Sequence, residues 1–308
     1  MKFIRSLSQL KKQHQGYAAT IGNFDGVHIG HQAILKQLDQ ISQKLNVPTL
    51  VILFEPQPVE FFAPDKAPPR LMRLREKLSA FQALGIDTVL CIRFHQQLAD
   101  LPADDFIHDI LVNQLKLKYL LVGDDFRFGA KRQGNFERLR QAGSIHGFEV
   151  QHIQTVNLDE QRISSTRIRK LLAEGELAQV NRLLGRPYFM RGKVFHGDKR
   201  GRTIGFPTAN IAIHSSSPLS GVFAVKAITP DNHQITGVAN IGKRPTVGGQ
   251  RTQLEVHLFD FDKDIYGVSL QINFFKRLRN EQKFSGLDEL KQQIHQDAQQ
   301  GREFFLTH

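Results

Sequence analysis

Apolar residues in the first half of the chain alternate between short continuous runs and helical spacings. Strand-like runs occupy 17–21, 49–54, 87–94, 118–123 and 148–153. Apolar positions at helical spacing lie between these runs: Ile34, Leu38, Ile41 and Leu45; Leu74, Leu78 and Phe81; Phe106, Ile107, Ile110 and Leu111; and a fourth set around 135–146. Nearly all-apolar strands are typical of a parallel sheet that is covered on both faces. The pattern therefore predicts an α/β unit with a doubly wound parallel sheet, which binds ligands beyond the carboxyl ends of its strands.

The pattern changes near residue 185. Two short helices, at about 165–174 and 176–184, precede strand-like segments that have no helices between them, at 187–195, 221–228, 234–241, 252–259 and 268–275. This arrangement predicts an antiparallel barrel or sandwich. A final helix carries one apolar stripe of Leu287, Leu290, Ile294 and Ala298. We therefore predict two domains, 1–184 and 185–308.

Charge narrows the classes of ligand. The 308 residues include 41 Lys and Arg against 30 Asp and Glu, a net charge of +11, which suits nucleic acid, an acidic surface or small anionic substrates. The arginines lie beside glycines, at 199–202 and 128–135, and no run of five basic residues occurs, which favours phosphate sites inside folded domains. A single cysteine, Cys91, excludes an internal disulfide framework and favours the cytoplasm. We see no secretory signal and no apolar stretch of membrane-spanning length.

The segment TIGNFDGVHIGH, 20–31, joins the first strand to the first helix. A helix N-terminus offers unpaired N–H groups and a partial positive charge to a phosphate. The spacing of three places His28 and His31 on one side of the first turn, where both imidazoles can donate to phosphate oxygens, and Gly30 permits close approach. The alternative is that the two histidines only cap the helix.

A second basic segment, RISSTRIRKLL at 162–172, places hydroxyls before an apolar helix. Ser164 or Ser165 can cap that helix, while Arg162, Arg167 and Arg169 supply guanidinium groups suited to phosphate. The alternative is that this segment is only an ordinary basic helix with an N-terminal cap.

The second half carries two further candidates for chemistry. In GKVFHGDKRGRTIGFPTANI, 192–211, Thr208 and Asn210 are two residues apart, so on an extended strand both face one way and can offer oxygen ligands to Mg²⁺. Glu255 stands among alternating apolar residues in TQLEVHLFD, where it can accept the proton of an attacking hydroxyl. The alternatives are an exposed basic turn and a solvent-facing strand residue.

These motifs together resemble a known family. GNFDGVHIGH (22–31), LFEPQP (53–58), VGDDFRFG (122–129) and ISSTRIR (163–169) resemble the HxGH nucleotidyltransferases, and more closely the adenylyltransferase module of bacterial bifunctional riboflavin kinase/FMN adenylyltransferases. RGRTIGFPTANI, GVFAV (221–225), GVANIGKRPT (237–246), LEVHLFDFDKDIYG (254–267) and LRNEQKFSGLDELKQQIHQD (278–297) resemble the riboflavin kinase module of the same family. The resemblance covers both domains and implies a barrel for the second.

The resemblance implies that the first domain transfers the adenylyl group of ATP to FMN. His28 and His31 would contact the ATP phosphates, and Ser165, Arg162 and Arg169 would close over the triphosphate. The adenylyl pocket would be shaped by Gly22, Asn23, Asp25 and Gly30. The flavin would lie against Phe54, Pro56, Pro58 and Phe62, with Asp125 near the ring or ribityl chain. Phe61 and Phe62 are equally compatible with a plain core role.

The resemblance implies that the second domain phosphorylates riboflavin. Thr208 and Asn210 would hold Mg·ATP, and Glu255 would activate the riboflavin 5′-hydroxyl. The phosphate loop would be lined by Gly192, Lys193, His196 and Gly205, and the flavin would have Arg279 and Glu281 beside it. Phe223 stands where tyrosine is common in the family, and we expect only its packing to be retained.

Two other interpretations remain at this point. HIGH also occurs in class I aminoacyl-tRNA synthetases, which would need a lysine-rich KMSKS-type loop, and a basic barrel can bind oligonucleotides. The resemblance favours flavins and ATP as the partners, with Mg²⁺ for both reactions, and riboflavin, FMN and FAD as substrates and products. It implies neither a nucleic-acid nor a membrane partner, and it leaves weak self-association open.

Overall fold

The computed structural model of the protein describes residues 1–10, 15–123, 126–153, 156–196, 206–213, 216–246 and 249–307. The chain forms two compact units. The first comprises 1–68 and 72–163, and the second comprises 69–71 and 164–308. No helix in the described part of the chain is both long and apolar enough to cross a membrane.

The first unit is built on a parallel sheet of six strands. Its strands are β1 (Lys2–Ile4), β2 (Ala18–Ile21), β3 (Thr49–Glu55), β4 (Thr88–Arg93), β5 (Tyr119–Val122) and β6 (Glu149–His152), in the order β1-β4-β3-β2-β5-β6. Every neighbouring pair is parallel. The central strands are buried along most of their length because helices cover both faces, as the apolar runs predict.

Helices connect these strands. They are α1 (Ile29–Leu45), α2 (Pro58–Phe62), α3 (Leu74–Ala83), α4 (Gln96–Ala99), α5 (Ala103–Asp105) and α6 (Phe136–His146), with single 3₁₀ turns at Leu7–Gln9, Pro64–Lys66 and Ala130–Arg132. The helix predicted around Phe106 is present but is wound as a π-helix, Phe106–Gln114, that continues from α5. A two-stranded hairpin, β7 (Asn157–Leu158) and β8 (Gln161–Arg162), follows β6.

The strand order places a topological switch beside β2. The chain leaves β2 for β3 and β4 on one side and then returns to β5 on the other side. In open α/β sheets, ligands bind in the crevice that such a reversal opens at the carboxyl ends of the strands. The glycine-rich segment that follows β2 therefore lies at the position where this fold binds nucleotides.

The second unit contains a closed antiparallel barrel. Its strands are β9 (Tyr188–Phe195), β10 (Ala209–Ile211), β11 (Gly221–Ile228), β12 (Gln234–Thr246), β13 (Gly249–Leu258) and β14 (Ser269–Arg279), in the order β10-β13-β12-β11-β14-β9. Closure follows from the pairing of β9 with β10. Inside, Phe223, Ala239 and Val256 lie opposite one another in register and are at most 1% exposed. Packing of Phe223 is retained, as expected.

The described residues of the second unit also form the helices α7 (Ser165–Glu174), α8 (Leu177–Leu184) and α9 (Leu287–Thr307). The packing places α7 and α8 with the barrel, so the compact units divide between Ile163 and Ser164. The predicted boundary at 184/185 lies after both helices. It stays a prediction about where the two activities divide.

Candidate active sites

The first candidate site is the segment from Gly22 to His28, which we call the nucleotide loop. Its last residue, His28, is the N-cap of α1, and the ring Nδ1 accepts the His31 N–H at 3.2 Å. A neutral His28 therefore carries its proton on Nε2, which makes Nε2 the donor nitrogen of this ring. The His28 and His31 rings stack with centroids 3.6 Å apart and planes 13° apart. The predicted shared side of the turn is confirmed.

His31 is held in its neutral form. Burial lowers the pKa of His31 well below 6.5, and the neighbouring His28 and Lys77 lower it further. Its Nδ1 atom is buried without a hydrogen-bond partner among the described residues. A buried imidazole nitrogen with no partner is costly, so this atom is suited to meet a polar ligand.

The nucleotide loop is held by hydrogen bonds of Gly22, Asn23 and Asp25, the first two through the backbone and the third through its side chain. The Gly22 N–H donates to the Ile52 carbonyl of β3, which aligns the start of the loop with the sheet. The Asn23 carbonyl accepts the ammonium of Lys77 at 2.8 Å, and the Asp25 carboxylate accepts the Met72 N–H at 3.0 Å. Asp25 is 3% exposed, so it acts here by holding the loop rather than by reaching into solvent.

Gly30 lies against the imidazole of His28. A Cβ at this position would be 3.2 Å from Nδ1 and 3.3 Å from the adjacent ring carbon. Contacts of that length are tighter than an ordinary van der Waals contact, so a larger residue would displace the ring. The glycine therefore leaves room for the imidazole in its present position, and its role in backbone access stays a prediction.

The predicted flavin residues lie at the carboxyl end of β3 and in α2. Phe54 is at the end of β3, Pro58 begins α2, and Phe62 ends α2 with 64% of its surface exposed. The Phe62 ring meets the Phe94 ring at 5.7 Å, and Phe94 also meets Phe54 at 5.9 Å. An exposed aromatic side chain of this kind does not belong to a core, so the core interpretation of Phe62 is wrong. Pro56, two residues after Phe54, is exposed. Asp125 lies outside the described residues.

The ISSTRIR segment spans the boundary between the two units. Ser164 is the N-cap of α7 and accepts the Arg167 N–H at 3.2 Å, which confirms the predicted cap. The Arg169 Nε donates to the Pro69 carbonyl at 2.7 Å within the second unit. Arg162 ends β8 in the first unit, whereas Ser165 is the first residue of α7 in the second. Closure of Arg162, Ser165 and Arg169 over a triphosphate stays a prediction.

The second candidate site is a row of polar side chains across three adjacent barrel strands. Glu255 of β13 lies directly opposite Asn210 of β10 and, on its other side, opposite Asn240 of β12. Residues opposite each other in antiparallel strands point to the same face, with Cβ atoms about 4.5–5.5 Å apart. The flanking residues Leu254 and Val256 fill the barrel, so this row faces outward. A carboxylate thus lies between two amides on the outer wall.

Neighbouring residues of β13 fix the PTAN segment against this wall. The Gln253 amide donates a short hydrogen bond to Asn210 Oδ1, and a ring nitrogen of His257 is 2.9 Å from the Pro207 carbonyl. Gln253, Glu255 and His257 alternate with core residues and therefore share the outer face. The register thus places the candidate base and the PTAN segment next to each other.

The remaining kinase candidates are spread over several elements. Gly192 and Lys193 lie inside β9, and a Cβ at Gly192 would collide with the Ala212 carbonyl, which gives this glycine a packing role. His196 follows β9, and its ring centroid is 3.7 Å from that of Tyr266, with the two planes tilted by 33°. Gly205 lies outside the described residues.

Two predicted flavin residues of the barrel have contacts of their own. The Arg279 guanidinium donates to both carboxylate oxygens of Asp297 in α9, each at 2.8 Å. The Glu281 carboxylate packs over Gly242, at the same end of β12 as Asn240. Contact of Arg279 and Glu281 with a flavin stays a prediction.

The donor set of the barrel wall fits Mg²⁺. Mg²⁺ prefers oxygen ligands and is commonly held by one or two protein groups together with substrate phosphates. Asn210 Oδ1 has two lone pairs, of which Gln253 uses one, and the Thr208 hydroxyl is exposed just before β10. Within the described part of the chain, no three His, Cys, Asp or Glu side chains form a metal cage. The oxygens of Asn210 and Thr208 fit a metal that takes its other ligands from water and ATP.

Sequence reasoning missed several residues of both sites. Asn240 was visible inside GVANIG, but its place beside Glu255 depends on the β12–β13 register. Phe94 ended a predicted strand and gave no sign of exposure. Gln57, between two prolines, is 5% exposed with an Nε2 that has no partner among the described residues. Lys77 gave no signal, because a lysine on an amphipathic helix is ordinarily a surface residue.

The first unit is a parallel α/β unit with two stacked imidazoles at a helix N-terminus. The second is a barrel with a carboxylate beside the PTAN segment. Together they define a nucleotide-dependent transferase with two sites. The family model for FAD synthetase matches residues 10–167, and the model for riboflavin kinase matches residues 184–305. The chain belongs to the bifunctional riboflavin kinase/FMN adenylyltransferase family.

Individual relatives agree over nearly the whole length. The bifunctional riboflavin kinase/FMN adenylyltransferase of Escherichia coli K12 is 52% identical over 99% of this chain and 98% of its own. The Haemophilus influenzae protein of the same name is 49% identical, with 99% of each chain covered. A crystal structure named as a macrolide-efflux protein of Streptococcus pneumoniae matches with a TM-score of 0.81 at 28% identity, covering 96% of both chains. The synthetase interpretation is therefore wrong, and the family match assigns the barrel to the riboflavin kinases.

Proposed function

We propose that the two reactions of FAD synthesis take place at the two sites described above. Riboflavin and ATP give FMN and ADP at the barrel wall, and FMN and ATP give FAD and pyrophosphate at the nucleotide loop. The observation that carries this assignment is the Asn210–Glu255–Asn240 row, because it joins a candidate base to a candidate metal ligand on one outward face. The proposed domain ranges are 185–308 and 1–184.

In adenylylation, an FMN phosphate oxygen attacks the α-phosphorus of ATP and the bond to the β-phosphate breaks. No protein nucleophile is needed, so the residues act by positioning and by neutralising charge. His28 donates through Nε2, and neutral His31 supplies a second imidazole in contact with it. Gly22, Asn23, Asp25 and Gly30 keep these groups and the loop N–H groups at the head of α1, with Arg162, Ser165 and Arg169 as further phosphate ligands.

In the kinase reaction, the riboflavin 5′-hydroxyl attacks the γ-phosphorus of ATP and ADP leaves. Glu255 accepts the hydroxyl proton, and Asn240 and Asn210 hold the carboxylate side of the site in place. Thr208 and Asn210 would hold Mg²⁺, which would neutralise charge on the phosphates of ATP when bound. Gly192, Lys193, His196 and Gly205 line the phosphate path, and Arg279 and Glu281 lie by the flavin.

For the first site, the exposed Phe62 and its neighbour Phe94 support a flavin platform. Flat aromatic faces bind a tricyclic ring by offset or edge contacts. Phe54, Pro56 and Pro58 adjoin this platform in sequence, and Asp125 completes the proposed set. We further propose the cytoplasm as the location, in keeping with a single cysteine, Cys91, which excludes an internal disulfide framework. Flavins and ATP are the proposed partners, without nucleic acid or membrane, and with at most weak self-association.

The test uses variants that separate the two reactions. His28→Ala should lower FMN adenylylation roughly 100- to 1000-fold, the usual loss for one transition-state donor, while FMN formation from riboflavin is kept. Glu255→Gln should lower FMN formation about 100-fold or more and keep adenylylation of added FMN. Chromatographic separation of riboflavin, FMN and FAD after incubation with ATP and Mg²⁺ measures both steps on each variant.

A matched variant distinguishes chemistry from capping. His28→Asn keeps an N-cap acceptor for α1 but removes the imidazole. Adenylylation should be lost in this variant as in His28→Ala. Full activity of His28→Asn would show that the residue only caps the helix, and loss of both reactions from either single change in a folded protein would contradict separate sites.

A further inference from the structure

Lys77 is the most deeply buried charged side chain that the proposed mechanism does not use. It lies on α3 and is 1% exposed, whereas lysine is almost never buried unless its ammonium is satisfied. The ammonium donates to the Asn23 carbonyl at 2.8 Å. A buried cation therefore holds the backbone of the nucleotide loop directly.

A second contact between α3 and the nucleotide loop is made by aromatic rings. Phe81 lies four residues after Lys77, so both side chains lie on one face of α3. The Phe81 ring meets the Phe24 ring at 5.7 Å, and Phe24 meets the His31 ring at 5.0 Å. The same face of α3 thus contacts the loop at Asn23 and Phe24 and reaches the imidazole pair through Phe24.

The loop needs such support because its backbone is unusual. Phe24 has a φ of +47° and Val27 has a φ of +40°, a region that non-glycine residues rarely adopt. Conformations of this kind persist only where surrounding contacts enforce them. Lys77 supplies one of these contacts.

The charges around the imidazole pair come from three elements. Lys77 and Glu76 are on α3, where the Glu76 carboxylate accepts the Arg73 N–H at 2.7 Å. Asp25 is in the loop, where it accepts the Met72 N–H, and His28 and His31 are at the start of α1. Among these groups, His28 and Lys77 are the two whose charge lowers the pKa of His31 beyond the effect of burial.

We propose that Lys77 is a positioning residue for adenylylation, which fixes the Asn23 carbonyl of the nucleotide loop and places its ammonium near the His28–His31 pair. The inference rests on the proposed function, because it assigns a role at the adenylylation site. The imidazole pair then meets the triphosphate in a fixed place, with His31 in its neutral form. Lys77 itself touches no substrate.

The experiment compares Lys77→Met with Lys77→Arg in the full chain. Lys77→Met should lower kcat of FMN adenylylation about 10- to 100-fold, the usual cost of a misplaced site, with the kinase reaction unchanged. Its adenylylation rate should also begin to fall at a higher pH on acidification, because His31 protonates more readily once the positive charge is gone. Lys77→Arg keeps the charge and should keep the wild-type pH profile even where kcat falls.

The controls separate failure of this inference from failure of the proposed site. Lys36→Met removes an exposed lysine of α1 and should change neither kcat nor the pH profile. If His28→Ala abolishes adenylylation but Lys77→Met leaves kcat and the pH profile unchanged, Lys77 is only a packing residue. A fall in kcat without a pH shift contradicts the electrostatic role equally. If Lys77→Met does not fold by circular dichroism, Lys77→Gln, which is polar and uncharged, is judged by the same criteria.

Discussion

His31 shows how one residue can favour function and still make stability depend on pH. Its imidazole is buried and neutral in the folded chain, with a pKa well below 6.5. In the unfolded chain it titrates near its ordinary value. Below about pH 6.5, His31 is therefore protonated in the unfolded chain but stays neutral in the folded chain. The free energy of unfolding decreases as the pH falls, because the unfolded state binds more protons.

This leads to a prediction for His31→Gln, which cannot titrate. The stability advantage of the wild type over this variant should shrink as the pH is lowered from about 7 towards 5, by at most about 1.4 kcal/mol per pH unit. Urea denaturation followed by circular dichroism measures it, since the chain has no tryptophan. A difference that is constant over this pH range would mean that His31 binds its proton equally in the folded and unfolded chains, which would contradict the lowered pKa.

The position of a single side chain can be predicted from sequence when its partners are close to it along the chain. His28 and His31 are three apart at a helix start, so their spacing alone predicts the shared side of the turn. The contact of Lys77 with Asn23 joins positions 54 residues apart, and no local pattern carries it. Residues with local partners were therefore predicted, and residues with distant partners were not.

At the scale of elements, the described residues include two ion pairs that join α9 to the rest of the second unit, and these pairs differ mainly in burial. Arg279 and Asp297 form a two-fold hydrogen-bonded pair with side chains 19% and 5% exposed. Arg302 and Asp260 form the same kind of pair with side chains 48% and 78% exposed. An exposed pair is screened by water, whereas a buried charge that loses its partner is left in a poor solvent.

The two pairs give a matched prediction. Asp297→Asn should lower the free energy of unfolding by about 3 kcal/mol, because it leaves the Arg279 guanidinium buried without a counter-charge. Asp260→Asn removes a partner with similar hydrogen-bond lengths and should have little effect. Thermal and urea unfolding of both variants measures the difference. Equal losses would mean that burial does not decide the strength of these pairs.

Element types were predicted better than element ends and rare geometries. The apolar runs located β2 to β6 and the barrel strands β9, β11, β12, β13 and β14. Strand β1 was missed because three residues show no period, and β7 and β8 were missed because two residues each form their hairpin. The π-helix at Phe106–Gln114 has the same apolar spacing as an α-helix over so short a length.

For the whole molecule, the compact units and the family matches divide the chain at different places. The riboflavin kinase match begins at residue 184, whereas the second compact unit takes in the chain from Ser164. Helix α8 explains the difference, because Leu177, Val180, Leu183 and Leu184 are each at most 1% exposed. Asn181 also accepts the Tyr188 N–H at 2.8 Å and donates to the Phe274 carbonyl at 3.2 Å.

Two fragments test this difference. The fragment 164–308 should fold and phosphorylate riboflavin, whereas 185–308 should be less stable by roughly 5 kcal/mol or more, because it exposes the barrel surface that α8 covers. Circular dichroism melts and FMN formation by each fragment give the result. Equal stability of the two fragments would show that α8 does not support the barrel.

The alternation along β13 has a consequence for how this enzyme can vary. Leu254 and Val256 fill the barrel while Glu255 between them faces outward, so core and chemistry are interleaved one residue at a time. Inserting or deleting one residue ahead of Glu255 would turn the carboxylate inward and push the core side chains into water. Substitution, not change of length, is therefore the route by which natural or laboratory variation can adjust this wall.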